Sequence, residues 1–454
     1  MSLDVNSLER FILEKISETK IPGLSIAVVK GEDIVYSRGF GFRDIDSGLP
    51  ATPNTIYGIG SVTKSFTALA IMQLAEEGKV DLYDPVDKYV PLSLRPYGSP
   101  VTIHNLLTHS TGIPALAYAE AFITGILELG ESWLPIATPE DVISFMVDAE
   151  KWATSKPGER FFYLNEGYVL LGLIISKVSG IRYEEYVKKR ILQPLGMNRS
   201  YFYKHEVEKD PDRATPYIIT KDGKYVSSKF PYGISSDGGL LSNVTDLAKY
   251  ITMYLNRGEF NGVKIVGKEM IELMEKPHIK VPYEIFSGES YGYGLGVYPN
   301  FLGYKLVAHS GSVLVYTAYI GYIPERKIGV AVLANAAGYP LSYIGMYALA
   351  QMLGKNPETD IPFIRIGRLM GKLEGTYETY KSTMKLTVKK RGDFLYIERK
   401  DRYSEELIPL IPEKLEDDVA IFYTMFGGRR LPVEFYIRDD KVELIYERYK
   451  LVKT

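Results

Sequence analysis

Residues 57–76 read YGIGSVTKSFTALAIMQLAE, and this stretch predicts a core helix with candidate functional residues at its beginning. Apolar side chains recur every three or four residues from Val62 to Met72, which predicts an apolar helix. Ser61 then lies at the N-terminus of that helix, where its Oγ would face the positive end of the helix dipole. Lys64 follows three residues later, one turn along the same face, so its amine can approach the hydroxyl. A lysine in such an apolar setting loses proton affinity and can serve as a general base.

The Ser-x-x-Lys pattern is short, and the sequence contains it twice more, at 17–20 and 382–385. Ser17 lies near the end of a charged, predicted surface helix, and Ser382 lies among predicted barrel strands. Neither serine has the buried helical context that lowers the pKa of a neighbouring lysine. The copy at Ser61 has that context, so we take Ser61 as the candidate nucleophile.

A second polar element, Tyr163-Leu164-Asn165, stands between a turn and the apolar run VLLGLIISKVSG. This position predicts that Tyr163 and Asn165 lie on a loop beside the core. The same Tyr-x-Asn spacing recurs at 254–256 and 298–300, where a helix surface and a loop are the better interpretations.

A third element, His309-Ser310-Gly311-Ser312, ends an apolar run of strand type, and His-x-Gly occurs nowhere else in the sequence. Small residues at a strand edge allow a substrate backbone to lie alongside. Backbone N–H groups at such an edge can also point at a developing oxyanion. We therefore expect residues 310–312 to bind substrate.

The composition is that of a globular protein and excludes several classes of function. Of 454 residues, 46% are hydrophobic and 24% are charged, which are ordinary globular values. The 54 Lys and Arg against 56 Asp and Glu leave no basic excess to neutralise nucleic-acid phosphates. The sequence has no cysteine for disulfides or thiolate metal sites, and its five histidines include no helical i, i+4 pair. We therefore expect no metal, no cofactor and no nucleic-acid partner.

The first twenty residues place charged side chains among apolar ones at helical spacing, unlike an export signal. This pattern is typical of a surface helix of a cytoplasmic protein. Residues 328–354 carry no charge and are long enough to cross a membrane, but polar and helix-breaking residues at 335–340 interrupt them. We interpret them as a buried strand over 328–333, a turn, and a core helix over 341–353. The three glutamines and the lack of cysteine are signs of a thermophile.

The pattern changes at Gly371 to short alternating runs such as FLYIER and VEFYIR, which turn signals separate. Such runs are typical of an antiparallel meander or a small barrel. Helices and strands of mixed order precede them, so we predict an α+β protein. Its predicted parts are a catalytic domain at 1–356, a linker at 357–370 and a barrel domain at 371–454. Pro357 and Pro362 are the residues that favour a linker there.

Taken in order, Ser-x-x-Lys, Tyr-x-Asn and His-x-Gly resemble the motifs of the penicillin-recognising serine hydrolases. This superfamily contains class C β-lactamases, serine D,D-carboxypeptidases and D-aminopeptidases, and the resemblance is greatest to its CubicO group. Further stretches of sequence that resemble the family lie between residues 22 and 335, including VTIHNLLTHSTGIP and SSDGGLLSNVTDLAKY. The resemblance implies a serine β-lactamase-like fold, in which helices flank an antiparallel sheet and a second part is all-helical.

The C-terminal meander resembles the lipocalin-like appendage of some members of this group. In a chain without cysteine, the combination is similar to self-compartmentalising archaeal serine peptidases, whose appendage helps assemble a closed octamer around internal active sites. The resemblance therefore implies a homo-oligomer of this octameric, compartment-forming kind. It also implies a small peptide or ester as substrate and no membrane partner.

The resemblance assigns a role to each motif residue. Ser61 would be the acyl-accepting nucleophile, and either Lys64 or Tyr163 would take its proton. Tyr163 would also relay a proton to the leaving amine and later activate water. Asn165 would hydrogen-bond the substrate amide and hold the lysine. The backbone N–H groups of Ser61 and Ser312 would form the oxyanion hole.

Three further features leave alternatives open. His309 stands where most β-lactamases have a lysine, which favours peptidases and esterases over β-lactam hydrolysis. It is either a catalytic proton carrier or a neutral, hydrogen-bonded strand residue. His109 in LLTHSTG either stabilises the loop after its helix or has a catalytic role, and we favour the first. The apolar segment 115–129 either packs under the catalytic domain or meets another subunit or the substrate, and we favour the second.

Together these observations predict a serine peptidase or amidohydrolase that forms an acyl-enzyme on Ser61. Its expected substrates are small peptides, including those with D-amino acids. A carboxylesterase of the same family and a non-catalytic ligand-binding or scaffold relative are the alternatives.

Overall fold

A computed structural model describes residues 3–130, 134–400, 402–438 and 441–454. The chain folds as two compact units, one over residues 1–355 and one over residues 356–454.

The first unit is built around a long antiparallel sheet. Its strands are β1 (Gly23–Lys30), β2 (Asp33–Asp44), β3 (Leu49–Pro50), β4 (Tyr57–Gly58), β5 (Tyr217–Ile219), β6 (Tyr225–Ser227), β7 (Leu241–Ser242), β8 (Glu259–Phe260), β9 (Val263–Lys264), β10 (Ile279–Lys280), β11 (Ser290–Tyr291), β12 (Gly296–Phe301), β13 (Tyr304–Ser312), β14 (Thr317–Ile323) and β15 (Ile328–Ala334). Among the described residues, nine of these strands form the sheet, in the order β10-β11-β12-β13-β14-β15-β1-β2-β3. The remaining strands form two-stranded pairs, β4 with β7, β5 with β6, and β8 with β9.

Helices of the first unit cover the sheet and form a separate helical part. They are α1 (Val5–Thr19), α2 (Thr63–Glu76), α3 (Ile103–Leu107), α4 (Tyr118–Ile126), α5 (Pro139–Phe145), α6 (Asn165–Ser179), α7 (Tyr183–Val187), α8 (Lys204–Val207), α9 (Val244–Leu255), α10 (Lys268–Met274) and α11 (Leu341–Met352). The expected α+β class with an antiparallel sheet is confirmed.

The centre of the sheet is apolar on both faces because helices cover both of them. Every residue of β15 is buried, and successive residues of a strand face opposite sides. Gly329 faces Ile251 of α9, whereas Val330 faces Gly345 of α11. The continuous apolar run of β15 is therefore a core strand between two helical layers.

The uncharged stretch 328–354 folds as expected, with β15 followed by a turn and by α11. The prediction of a strand and a core helix there is confirmed. In the part of the chain that the structure describes, no helix combines the length and the apolar character needed to span a membrane.

The second unit begins with α12 (Pro357–Asp360) and α13 (Pro362–Leu373), in the stretch that was expected to be a linker. The Asn356 side chain accepts a hydrogen bond from the Glu358 backbone N–H and caps the first of them. Pro357 and Pro362 each occupy the first turn of their helix, where a missing N–H costs nothing. The prolines that favoured a linker therefore begin two helices.

An antiparallel barrel follows these helices. Its strands are β16 (Gly375–Glu378), β17 (Lys385–Arg391), β18 (Phe394–Lys400), β19 (Glu405–Leu415), β20 (Val419–Phe426), β21 (Arg429–Arg438), β22 (Lys441–Tyr446) and β23 (Tyr449–Lys453). Within the described ranges these eight strands close in sequence order, because β23 pairs with β16. Apolar side chains that alternate along the strands fill the interior, where the rings of Phe422 and Phe435 lie 5.7 Å apart. The barrel therefore has a packed core.

Candidate active site

Ser61 lies where the helix pattern placed it, in a 3-10 turn over Gly60–Val62 that runs directly into α2. Gly60 has a φ of +49°, and a Cβ there would lie 2.7 Å from the Ser312 backbone nitrogen. A Cβ at Gly311 would overlap the Ile59 carbonyl oxygen and lie 3.0 Å from the Ser61 nitrogen. Because glycines occupy both positions, the end of β13 packs directly on the turn that carries Ser61. This packing brings the backbone nitrogens of Ser61 and Ser312 close to each other.

Lys64 is fully buried beneath Ser61. Its Nζ donates to Ser61 Oγ at 3.0 Å and to the Asp237 carbonyl oxygen at 2.7 Å. Burial lowers the pKa of Lys64 to about 8, although the negative charges of Asp237, Glu166 and Glu120 oppose this shift. A lysine with this pKa exists partly as the neutral amine near neutral pH, which is the form that can take a proton.

Tyr163 lies on the other side of Ser61. The Lys64 Nζ is 5.0 Å from the centre of the Tyr163 ring, and the Tyr163 hydroxyl interacts with the Ser61 side chain. Desolvation raises the pKa of Tyr163, and the hydrogen bond with Ser61 opposes that only in part. Tyr163 is therefore a phenol near neutral pH, and Lys64 is the group that loses its proton more easily.

Asn165 is the first residue of α6, and its side chain lines the same cavity as Ser61. Among the described residues no group hydrogen-bonds the Asn165 amide, so it is available to a ligand. The expectation that Asn165 also holds the lysine differs from the observed bonds of Lys64, whose second partner is the Asp237 carbonyl. The reason is that the segment carrying Asp237 lies directly against α2.

His309 is buried near the end of β13, and both of its ring nitrogens have partners. Nδ1 lies 2.6 Å from the Ser310 carbonyl oxygen, and Nε2 lies 2.9 Å from the Tyr291 hydroxyl. A carbonyl only accepts, so Nδ1 carries the hydrogen and Nε2 accepts from Tyr291. Burial, with the charge of Lys64, lowers the pKa of His309 to about 4. The imidazole is therefore neutral at neutral pH.

Residues 310–312 lie on an exposed edge of β13. One edge of this strand pairs with β14, as in Ser310 with Tyr319. The other edge pairs with β12 only as far as Ala308, and beyond it no described strand pairs with β13. The backbone from His309 onward therefore faces the cavity with one free edge.

These groups line one cavity of about 800 Å³. The motif residues that line it are Ser61, Tyr163, Asn165, His309, Ser310, Gly311 and Ser312. Three acidic residues also line it, Glu120, Asp237 and Glu289, whereas no described Lys or Arg does. Among the residues that the structure describes, no group of three or more His, Asp or Glu side chains could hold a metal ion.

The apolar segment 115–129 forms α4 and its flanks, and it packs on the core as the first alternative expected, whereas contact with a substrate or another subunit stays a prediction. Tyr118 and Ala119 are buried in the core, whereas Glu120, Ile123 and Thr124 line the cavity together with Ala119. The segment therefore packs on the first unit and also forms a wall of the candidate site.

His109 follows α3, and its bonds hold a loop other than the one expected, namely the loop that carries Tyr163. Its carbonyl accepts from the Phe162 N–H at 2.8 Å, and its Nδ1 accepts from the Leu164 N–H at 2.9 Å. The two ring centres of His109 and Tyr163 lie 4.1 Å apart. His109 thus holds the residues on both sides of Tyr163.

The competing copies of the Ser-x-x-Lys motif do not contribute to the cavity. Ser17 and Ser382 are exposed, and neither lines it. The interpretation of the other two Tyr-x-Asn copies was wrong in detail, because side-chain burial was not evident from spacing. Tyr254 is buried inside α9 rather than on a helix surface, and Tyr298 lies on β12 rather than on a loop and lines the cavity.

Sequence reasoning missed Asp237 and Tyr291, which bond to the motif residues Lys64 and His309. It also missed Tyr118, which bonds to Asp237. Asp237 lies in the stretch SSDGGLL, which carried part of the family resemblance, so a signal for it existed. Nothing in the sequence around Tyr118 indicated its bond to Asp237, and nothing around Tyr291 indicated its bond to His309.

Comparisons with known proteins agree with this geometry. Residues 8–350 match the beta-lactamase family model, and residues 357–452 match the model of the Pab87 octamerisation domain. The fold is similar to that of the octameric penicillin-binding protein homologue from Pyrococcus abyssi, with 62% identity and a TM-score of 0.95. That similarity covers 99% of this chain and 100% of the other.

Two more distant relatives extend the comparison. Protein flp of Staphylococcus aureus strain N315 is 30% identical over 332 residues, and the match spans 72% of this chain but only 62% of that relative. A D-stereospecific amidohydrolase from Streptomyces sp. shares the fold at 24% identity and a TM-score of 0.62, covering 77% of this chain and 99% of the other. With a family match that spans most of the first unit, the chain belongs to the beta-lactamase family of serine hydrolases and carries a domain of the Pab87 octamerisation type after it.

Proposed function

We propose that this protein is a serine peptidase or amidohydrolase that forms an acyl-enzyme on Ser61 and acts on small peptides, including peptides with D-amino acids. One observation carries the proposal most directly. The Lys64 amine, whose pKa burial lowers to about 8, lies 3.0 Å from the Ser61 hydroxyl at the floor of an open cavity. An activated nucleophile of this kind is what acyl transfer requires.

The proposed reaction uses the groups around Ser61 in sequence. The neutral Lys64 amine takes the Ser61 hydroxyl proton while Oγ bonds to the substrate carbonyl carbon. The oxyanion that forms accepts from the backbone N–H groups of Ser61 and Ser312, each worth about 3 kcal/mol in comparable sites. A proton returns through Tyr163 to the leaving amine as the C–N bond breaks, and water then hydrolyses the ester on Ser61.

The free edge of β13 supports an extended peptide as the substrate. Backbone groups from His309 to Ser312 face the cavity without a described strand partner. An extended substrate can pair with such an edge as an additional strand. The available amide of Asn165, which lines the same cavity, would also bind the substrate.

The charge of the cavity favours substrates with a free amino group. Glu120 is exposed on α4 and faces the cavity, and the buried acidic residues Asp237 and Glu289 also line it. The neutral His309 supplies no cation for a substrate carboxylate at the third motif. Peptides and amides with a free ammonium group are therefore expected to bind better than β-lactams, which carry a carboxylate. The preference for D-residues rests on the family resemblance.

The second unit supports assembly into a homo-oligomer. It matches an octamerisation domain, and the 62% identical homologue from Pyrococcus abyssi is described as octameric. We propose that this chain forms an octamer that encloses its active sites.

Intact mass after treatment with a fluorophosphonate tests the nucleophile. The parent protein is expected to gain one adduct, which peptide mapping places on Ser61, and Ser61→Ala is expected to gain none. Ser382→Ala is the matched control because it removes the exposed serine of a competing Ser-x-x-Lys motif. A parent protein that takes no adduct would make the chain a non-catalytic relative.

A substrate panel then tests the proposed class. It pairs L- and D-aminoacyl chromogenic amides, each with a free or an acetylated amine, with nitrophenyl esters. Turnover of free-amine amides, with a D-residue preference, is the expected result. Turnover of esters alone would identify the protein as a carboxylesterase, and an L-residue preference would remove the D-peptide part of the proposal.

A further inference from the structure

The backbone that anchors Lys64 is held against α2 by three side chains of that helix. Thr67 Oγ1 donates to the Ser236 carbonyl at 2.6 Å, and Lys64 Nζ donates to the Asp237 carbonyl at 2.7 Å. Thr63 Oγ1 accepts from the Leu240 N–H at 3.2 Å. Residues 236–240 therefore lie along the helix, with the carbonyl groups of Ser236 and Asp237 and the N–H of Leu240 directed to it.

The Asp237 carboxylate has a different partner. Its Oδ2 accepts from the Tyr118 hydroxyl at 2.6 Å, and both side chains are buried, Asp237 at 8% exposure and Tyr118 at 1%. We infer that Tyr118 and Asp237 form a positioning pair, which keeps a charged carboxylate beside Lys64 and so sets the pH range in which that lysine acts as a base. The inference rests on the proposed acyl-enzyme mechanism.

Tyr118 also connects the walls of the cavity to the lysine anchor. It is the first residue of α4, whose next turn lines the cavity with Glu120 and Ile123. Its backbone N–H donates to Glu166 Oε1 at 3.2 Å, and Glu166 follows Asn165 at the beginning of α6. One residue thus joins α4, α6 and the carboxylate behind Lys64.

Groups from several elements face Lys64 and determine its charge. The carboxylates are Asp237, Glu166 of α6 and Glu120 of α4, the imidazoles are His109 and His309, and the phenol rings are Tyr163 and Tyr168. The carboxylates raise the pKa of Lys64, whereas burial lowers it. The two imidazoles are neutral at neutral pH, because burial holds the pKa of each below its ordinary value.

Loss of the Tyr118 hydroxyl would change the charge of Asp237. Burial raises the pKa of Asp237, and the charge of Lys64 and the hydrogen bond from Tyr118 lower it. Without that bond the carboxyl group binds a proton more readily and stops supporting the ammonium form of Lys64. The pKa of Lys64 then falls. Because the neutral amine is the reactive form, the rise of the rate with pH moves to lower pH.

The rate of Ser61 modification by a fluorophosphonate, measured against pH, tests the inference without a known substrate. Tyr118→Phe and Asp237→Asn are each expected to move the midpoint of the rise to lower pH by about one unit. The double variant is expected to move it no further than Asp237→Asn alone, because both changes remove the same charge. The Tyr118→Phe profile decides the matter even if Asp237→Asn fails to fold.

Tyr57→Phe is the matched control. The Tyr57 hydroxyl is also buried and hydrogen-bonded, at 2.9 Å to Ser25 Oγ, but it bonds to no carboxylate beside Lys64. Its midpoint is expected to equal that of the parent. A Tyr118→Phe protein that reacts more slowly with an unmoved midpoint would have lost only packing, and the inference would be wrong. A parent protein that is not modified at all would instead overturn the proposed function.

Discussion

Lys64 is fully buried, and its Nζ bonds to a hydroxyl and a carbonyl rather than to a carboxylate. An ammonium group in that setting has no directly bonded counter-ion, so burial lowers its pKa to about 8. The phenol of Tyr163 has a pKa above its ordinary value, again because of burial. The two candidate bases therefore differ in the pH at which each becomes reactive.

The pH dependence of Ser61 modification separates the two bases. If Lys64 takes the proton, the rate rises with pH, because the neutral amine is the reactive form, and it reaches half its plateau near pH 8. If Tyr163 takes it, the rise lies above pH 10, since the pKa of this phenol is raised. Stopped-flow or quenched labelling across pH 6 to 11 makes the measurement.

Lys64→Arg tests the same assignment by a different route. The guanidinium keeps the positive charge but does not lose a proton in this pH range, so a general base is lost and an electrostatic partner survives. We expect modification of Ser61 to slow by about 10²- to 10⁴-fold. Near-parent labelling by Lys64→Arg would transfer the role of base to Tyr163.

Glu120 gives a prediction about the substrate. Glu120→Gln keeps the shape of the side chain and removes its charge, so KM for free-amine substrates is expected to rise about threefold to fivefold. KM for the acetylated analogues should stay the same. Glu128→Gln is the control, because Glu128 is an exposed carboxylate on the same segment but outside the cavity. An equal effect on acetylated substrates would show that Glu120 does not bind the amine.

Prediction from sequence succeeded for residues that share a local pattern and failed for those that do not. Ser61 and Lys64 lie three residues apart on one helix, so periodicity was enough to place them together. Tyr118 and Asp237 meet across 119 positions of sequence. Only the packing of α4 on the core brings that phenol to the carboxylate, and no local pattern encodes it.

At the scale of elements, the contact between the 3-10 turn and the end of β13 determines the position of the oxyanion hole. Gly311→Ala would place a Cβ against the Ile59 carbonyl and 3.0 Å from the Ser61 nitrogen. The strand must then move away from the turn, which separates the N–H groups of Ser61 and Ser312. We expect labelling and turnover to fall about 10²-fold, with a loss of about 1–3 kcal/mol in the free energy of unfolding.

Gly167→Ala is the control for this change. A Cβ at Gly167 of α6 would meet its nearest neighbour at 3.5 Å, an ordinary contact. Activity should be unchanged, and the variant should gain up to about 1 kcal/mol in helix stability. Parent-like activity of Gly311→Ala would mean that the turn and the strand need not touch for catalysis.

Elements with one dominant pattern were predicted well, and those with mixed signals were not. The apolar run and the turn residues in 328–354 indicated β15 and α11, and both formed. Proline at 357 and 362 indicated a break, whereas each proline begins a helix. Proline is compatible with both situations, and the outcome depends on the cap at Asn356 and on the core that α13 meets.

At the scale of the whole molecule, one end of the barrel carries exposed aromatic side chains. Alternate connections of an up-and-down barrel lie at the same end, so the β16–β17, β18–β19 and β20–β21 connections are neighbours. Tyr380, Tyr403 and Phe426 stand there, with 81%, 89% and 74% of their surface exposed. Exposed apolar groups gathered at one place are typical of a surface that contacts another protein.

This end of the barrel is therefore expected to contribute to the proposed octamer. Tyr380→Glu combined with Phe426→Glu should reduce the particle mass measured by light scattering, because charges in an apolar interface are unfavourable. The barrel should stay folded, since neither side chain lies in its core. Phe394→Glu is the control, because Phe394 is half exposed at the opposite end of the barrel. An unchanged mass for the double variant would place the subunit contacts elsewhere.

The closure of the barrel limits the ways in which one such chain can recognise another. Among the described residues of the second unit, the closed ladder of strands leaves no backbone edge, so this unit cannot bind neighbouring molecules by strand addition. Recognition between the second units of two chains then depends on the side chains at the hairpin ends, which can change without disturbing the hydrogen bonds between the strands. If the gene were duplicated and the hairpin ends of the two products diverged in sequence, each product would assemble only with copies of itself within one cell.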